Sequence, residues 1–130
     1  MNLSYRQHAL ASANPIELVI ALYDGAIRFL DQASTAAQKN DVQGRRQSVK
    51  RVLDIYLHLQ SRLRYDVDDK VAASFSQFYT EMFRHTLRVS AANSREGFEQ
   101  VIARLSQVKE AWRTVAHNPE VLRILERGRV

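Results

Sequence analysis

The sequence predicts an all-α chain: an antiparallel up-down four-helix bundle with an N-terminal segment and a short C-terminal helical tail. Three observations predict it. Only four glycines and two prolines interrupt 130 residues, so few points break a helix. Apolar residues recur at spacings of three and four over long stretches, and no strand alternation is present. Three short polar breaks, each carrying a capping residue, divide the chain into long segments. Long helices joined by short links favour antiparallel neighbours.

The first helix is expected over 15–42. Asn14 can cap it, Pro15 suits its first turn, and Glu17 can reach back as in a capping box. Ile16, Val19, Tyr23, Ala26, Leu30, Ala33 and Ala37 form one inward seam, widened by Ile20 and Ile27. Leu18, Leu22, Gly25, Phe29 and Ala36 form a second stripe well away from the first. Such a helix is central in its bundle or half covered by something else. Gly25 costs about 1 kcal/mol in a helix relative to alanine, so either a bundle neighbour or another chain segment approaches it. Asp24 and Arg28 read as a surface pair.

After the break "KNDVQG" (39–44), with Asp41 as cap, a second helix is expected over 42–64. Val49, Leu53, Tyr56 and Leu63 point inward, with Ile55 and Leu59 displaced to one side. After "RYDVDDK" (64–70), capped by Asp68 or Asp69, the third helix runs over 69–91. Val71, Phe75, Phe78, Met82 and Val89 share a face, while Tyr79, Phe83 and Leu87 climb its flank. After "AANSREG" (91–97), capped by Ser94, the fourth runs over 95–116. Phe98, Val101, Leu105, Val108, Trp112 and Val115 make one narrow seam against a polar back, so Trp112 is expected in the core. Tyr23, Tyr56 and Tyr79 are expected to be buried with hydroxyls reaching the rim. The domains are thus 1–14 as a flexible or capping segment, 15–116 as the bundle and 117–130 as a short basic tail.

A bundle core absorbs about three apolar positions per heptad from each helix. The first three helices carry more. The surplus predicts an exposed apolar groove of the kind that binds another protein, drawn from Leu18, Leu22, Phe29, Ile55, Leu59, Phe83 and Leu87.

Composition narrows the function further. There is no cysteine, so neither disulfides nor thiol chemistry enter. No apolar run reaches the roughly 18 residues of a membrane span, and "MNLSYRQHALASAN" has no secretory apolar core; a cytoplasmic protein is expected. None of His8, His58, His85 and His117 has a second histidine or a cysteine at helical spacing, and no E-x-x-H motif occurs within a helix. Asp66, Asp68 and Asp69 lack the glycine and terminal glutamate of a calcium loop, so a cap and turn is the expectation. With no nucleophile elbow or phosphate loop, neither an enzyme nor a cofactor is expected. Net charge is +5, and Arg45, Arg46, Lys50 and Arg51 form one basic cluster without interleaved aromatics.

The stretch Tyr5-x-x-x-x-Leu10-x-x-Ala13-x-Pro15 followed by "ELVIALYDGAI" resembles the opening of the flagellar secretion chaperones, the FliS family. "RVLDIYLHLQSRL" (51–63), "FYTEMFR" (78–84) and "EAW" (110–112) are similar to later parts of the same pattern. Glu81 stands where the family often has a second tyrosine, and the tail from His117 has no counterpart. The resemblance implies a helical bundle in the cytosol that binds the disordered C-terminal segment of flagellin. The bound segment wraps around the bundle, partly as helices in apolar grooves. This blocks premature polymerisation and keeps the cargo competent for the type III flagellar export gate. The segment bearing Tyr5 and Leu10 is implied to lie over part of the groove and to move when cargo binds. From the residues alone two other readings stay open: a basic bundle binding nucleic acid or another anionic partner, and a structural bundle whose surplus is a homodimer interface.

Overall fold

The computed structural model describes residues 15–66 and 68–119. They form four helices: α1 (Pro15–Gln38), α2 (Val42–Ser61), α3 (Asp69–Ala91) and α4 (Arg95–Ala116), with no strand among the described residues. The fold is the helical bundle that the sequence predicts. The last two helices have the expected bounds, whereas α1 stops at Gln38 rather than 42 and α2 at Ser61 rather than 64. The expected cap Asn14, the segment 1–14 and the tail from residue 120 lie outside the described residues.

Helix ends follow from asparagine chemistry. Asn40 and Asn93 have φ of 57° and 51°, the left-handed conformation that asparagine tolerates better than most side chains. The next amide then bonds back into the helix: Asp41 N–H to the Ala36 carbonyl at 2.8 Å, and Ser94 N–H to the Val89 carbonyl at 3.2 Å. Both are Schellman-type ends. The residue that completes each end caps the following helix, Asp41 accepting from the Gly44 amide and Ser94 from the Gly97 amide. This is why α1 stops short: the asparagine turn closes before the cap. Asp68 caps α3 through the Lys70 and Val71 amides, and Asp66 pairs with Arg64 at 2.7 Å, so these acids serve the turn.

The helices form a ring in chain order. α1 lies against α2 and α4, α2 against α3, and α3 meets α4 more lightly. Asn93 knots one end of this ring. Its side-chain oxygen accepts from Arg45 Nη1 at 2.7 Å, and its amide donates to the Ala37 carbonyl at 3.4 Å, joining three helices. The core is centred on Tyr23, Leu30, Val52, Tyr56, Tyr79, Met82, Phe98 and Leu105.

Two inward faces differ from expectation. On α2 the buried apolar residues are Val49, Val52, Tyr56 and Leu59, while Leu53 and Leu63 are only half-buried. The helix is rolled toward the small residues of α1: Ile55 Cδ1 reaches to 3.4 Å from where a Gly25 Cβ would stand. On α4, Phe98, Val101 and Leu105 are buried, but Val108 and Trp112 are half-buried, so Trp112 stands at the core's edge.

The tyrosine hydroxyls stay inside. Tyr23 and Tyr79 share a hydrogen bond at 2.9 Å, and Tyr56 shares one with Thr86 at 3.0 Å. A buried hydroxyl without a partner costs about 1–3 kcal/mol, so these pairs fix which helix levels meet. Burial raises the pKa of Tyr56 and Tyr79 above the ordinary phenol value; the neighbouring Tyr23 raises Tyr79 further, while the Thr86 hydrogen bond partly offsets the rise at Tyr56.

Tyr79→Phe is expected to destabilise the bundle by about 1–2 kcal/mol by orphaning the Tyr23 hydroxyl, while the Tyr23→Phe/Tyr79→Phe double variant costs less than the two singles combined. Denaturant midpoints measure this, and additive losses would contradict the pairing. Because the folded phenols hold their protons more tightly than unfolded ones, their contribution is complete below a pH of about 10 and is lost as pH rises above it. Tyrosinate absorbance of these groups is therefore expected to appear together with loss of helical dichroism.

Candidate functional site

Helix α2 presents a polar outer face, with Asp54 and His58 exposed, between two apolar rims. The first rim follows the α1/α2 seam. Leu18, Leu22, Phe29 and Ile55 are all half-buried there. The Arg51 guanidinium lies 5.3 Å from the Phe29 ring centroid and that of Arg28 5.6 Å, cation–π contacts worth about 0.5–1 kcal/mol at exposed sites. Gly25 meets Ile55 at an ordinary contact distance, so of the two readings of this glycine the bundle neighbour is the one found.

The second rim follows the α2/α3 seam. Gln60 Nε2 donates to the Ser76 carbonyl at 2.9 Å and to Thr80 Oγ1 at 2.8 Å. With Tyr56–Thr86 this sets an antiparallel register that brings Leu53 level with Leu87 and Leu57 level with Phe83. Leu57 is 52% exposed and Leu87 45%, with Leu53 and Phe83 half-buried beside them. Four large apolar residues therefore line two adjacent levels of the seam, Leu57 and Leu87 open to solvent and Leu53 and Phe83 half-buried. A patch of this kind suits the apolar face of a partner helix.

The residues expected to line one groove are thus divided. Leu18, Leu22, Phe29 and Ile55 share the α1/α2 rim, and Phe83 and Leu87 lie on the α2/α3 rim. Leu59 belongs to neither: it is 3% exposed, within the core, because the roll of α2 turns its α1 side inward. Tyr5 and Leu10 lie outside the described residues. Sequence reasoning missed Leu53 and Leu57 as rim residues. Leu57 falls on no inward stripe of its helix, and that position was the available signal.

Charges also sort differently from expectation. Asp24 pairs with Lys109 of α4 at 2.8 Å rather than with Arg28. Arg45 turns to Asn93 and Arg51 to Phe29, so the basic cluster is dispersed, with Arg46 and Lys50 exposed. No group of three or more potential metal-ligating side chains occurs among the described residues. No helix among them is long and apolar enough to cross a membrane.

Comparisons with known proteins agree on one family. The family model described as flagellar protein FliS matches residues 1–119. The flagellar secretion chaperone FliS of Campylobacter jejuni is 30% identical over 118 residues, 91% of this chain and 92% of that protein. The proteins of the same name from Salmonella typhimurium and Escherichia coli are each 27% identical, over 85% and 89% of this chain and 82% and 86% of theirs.

The two leucines at 57 and 59 separate rim from core. Leu59→Asp is expected to unfold the bundle at room temperature, since it places a carboxylate in the core at a cost of several kcal/mol, about 3 or more. Leu57→Asp is expected to keep the wild-type denaturant midpoint within about 0.5 kcal/mol. Helical circular dichroism with urea titration distinguishes them, and equal losses would contradict the assigned roll of α2.

Proposed function

The chain belongs to the family of flagellar protein FliS, and from that premise we propose that it is an export chaperone for flagellin. In this reading it binds the disordered C-terminal segment of flagellin in the cytosol, prevents premature polymerisation and delivers the cargo to the type III export gate. The observation that carries the reading is the apolar opening at Leu53, Leu57, Phe83 and Leu87, continued across α2 by Leu22, Phe29 and Ile55. Two rims on either side of one helix suit a chain that wraps, laying amphipathic turns first in one seam and then in the other.

Wrapping has an energetic rationale. Ordering a disordered segment costs about 2–5 kcal/mol or more of the gross interaction energy. A single seam offers few apolar side chains, whereas two seams multiply the buried area. The segment bearing Tyr5 and Leu10 would cover part of this surface before cargo arrives. The chemistry required is burial and release, with no catalytic step.

The dispersal of the basic cluster weakens the nucleic-acid reading, because Arg45 and Arg51 are engaged within the bundle. A homodimer through the α2/α3 rim would compete with cargo for Leu57 and Leu87, and sedimentation at several concentrations detects it.

Calorimetric titration with the C-terminal segment of a flagellin tests the proposal. Leu57→Asp and Leu87→Asp are each expected to weaken binding by about tenfold or more, equivalent to ~1.4 kcal/mol, with the bundle still folded. Arg46→Ala/Lys50→Ala is expected to bind as wild type, and added salt to have little effect, unlike phosphate recognition. Wild-type affinity of the two leucine variants, or steep salt dependence, would overturn the proposal.

A further inference from the structure

α3 and α4 touch closely at one end only. A Cβ on Gly97 would lie 2.8 Å from both γ-methyls of Val89. Beyond that contact the seam opens into two hollows. The first, of about 350 Å³, has Glu81, His85, Arg88, Gln100 and Arg104 as its polar walls. The second, of about 390 Å³, has Phe75, Phe78, Val108 and Ala111 as its apolar walls. They meet where the Arg104 guanidinium lies 5.3 Å from the Phe78 ring centroid. Together they make one groove, about 20 Å long from Phe75 to Arg88 along α3. In the ring this seam stands opposite the α1/α2 seam, and the width of α3 separates it from the α2/α3 rim.

The charges of the groove are unbalanced. Among the described residues that line it, Arg88 and Arg104 are cationic and Glu81 alone is acidic. Glu81 pairs with Arg104 at 3.9 Å, and both side chains are more than half exposed, so water weakens that pair. Arg88 is exposed, and its guanidinium has no ion-pair or hydrogen-bond partner among the described residues. A carboxylate arriving from outside therefore meets one free guanidinium and one loosely held. The stack on Phe78 orients the Arg104 fork for such a group.

We propose that the α3/α4 groove is a second docking site, and that its occupant is an acidic amphipathic helix of a partner protein other than the cargo. Its apolar side chains lie against Phe75, Phe78 and Val108, where the small Ala111 leaves room. Its carboxylates follow along the same face, at Arg104 and Arg88. The apolar half alone accepts any apolar segment; the two arginines select an acidic one. Glu81 in the same hollow repels a polyanion, which favours a segment with few carboxylates over a nucleic acid.

A random library of peptides about twelve residues long, the length of the groove, tests the proposal. It is panned on the full chain, alone and saturated with a flagellin C-terminal segment. The enriched sequences are expected to carry apolar residues and carboxylates on one helical face. Titrated by fluorescence anisotropy, the leading peptide is expected to lose about tenfold or more in affinity on Arg88→Glu/Arg104→Glu, and likewise on Ala111→Gln, which fills the apolar half. Both variants are expected to keep helical dichroism and wild-type binding of the flagellin segment. Peptide affinity is also expected to fall as salt is added. No enrichment, enrichment of peptides without acids, or unchanged affinity in either variant overturns the proposal. Displacement of the peptide by the flagellin segment overturns it too, giving the groove to cargo. Dimerisation of the chain that Ala111→Gln abolishes gives it to a second copy and overturns it as well.

Discussion

Three tyrosines carry hydroxyls into the middle of the core, and each has to find a partner there because water does not reach it. Tyr23 meets Tyr79 across the diagonal of the ring, and Tyr56 meets Thr86 along the α2/α3 seam. Apolar contacts alone tolerate sliding by a turn, since leucines and valines exchange neighbours at modest cost. A hydroxyl pair does not, because a displaced partner leaves two buried polar atoms unsatisfied. These bonds therefore set the levels at which α1, α2 and α3 meet. The Asn93 knot to Arg45 and Ala37 holds the same three helices at one end.

Once the levels are set, the surface follows. α1 offers Gly25, Ala26 and Ala33 toward its neighbours, so α2 rolls in that direction and buries Leu59. The roll leaves Leu53 half-buried and Leu57 exposed on the opposite side, where the register places them beside Leu87 and Phe83. The exposed apolar rim is thus the other face of a well-closed α1/α2 seam. A protein that lacked a partner would gain by replacing those leucines with polar residues. An exposed apolar surface of this kind fits membership of the FliS family, whose named relatives are flagellar secretion chaperones.

Much of the fold was legible in the sequence, because caps and periodicity are local. Asp41, Asp68 and Ser94 begin their helices as their side-chain chemistry requires, and the asparagine before two of them marks the preceding end. The apolar surplus was legible as well. Its distribution was not, since a stripe of leucines shows an apolar face without showing which side a neighbour covers. Leu59 and Leu53 exchanged roles for that reason. The tyrosine pairs were hidden too: Thr86 reads as an ordinary helical threonine until Tyr56 stands opposite it, a relation thirty residues apart. Trp112 continues the α4 seam in sequence, yet α3 does not close over it.

The central claim is that the hydrogen-bonded core holds the rims of α2 open for flagellin. Hydrogen exchange with and without the C-terminal segment of a flagellin tests it most directly. The account predicts that cargo slows exchange along α2 and the facing part of α3 around residues 53–57 and 83–87, and along α1 near 22–29. Protection confined to the basic start of α2, or exchange unchanged at both rims, would contradict it.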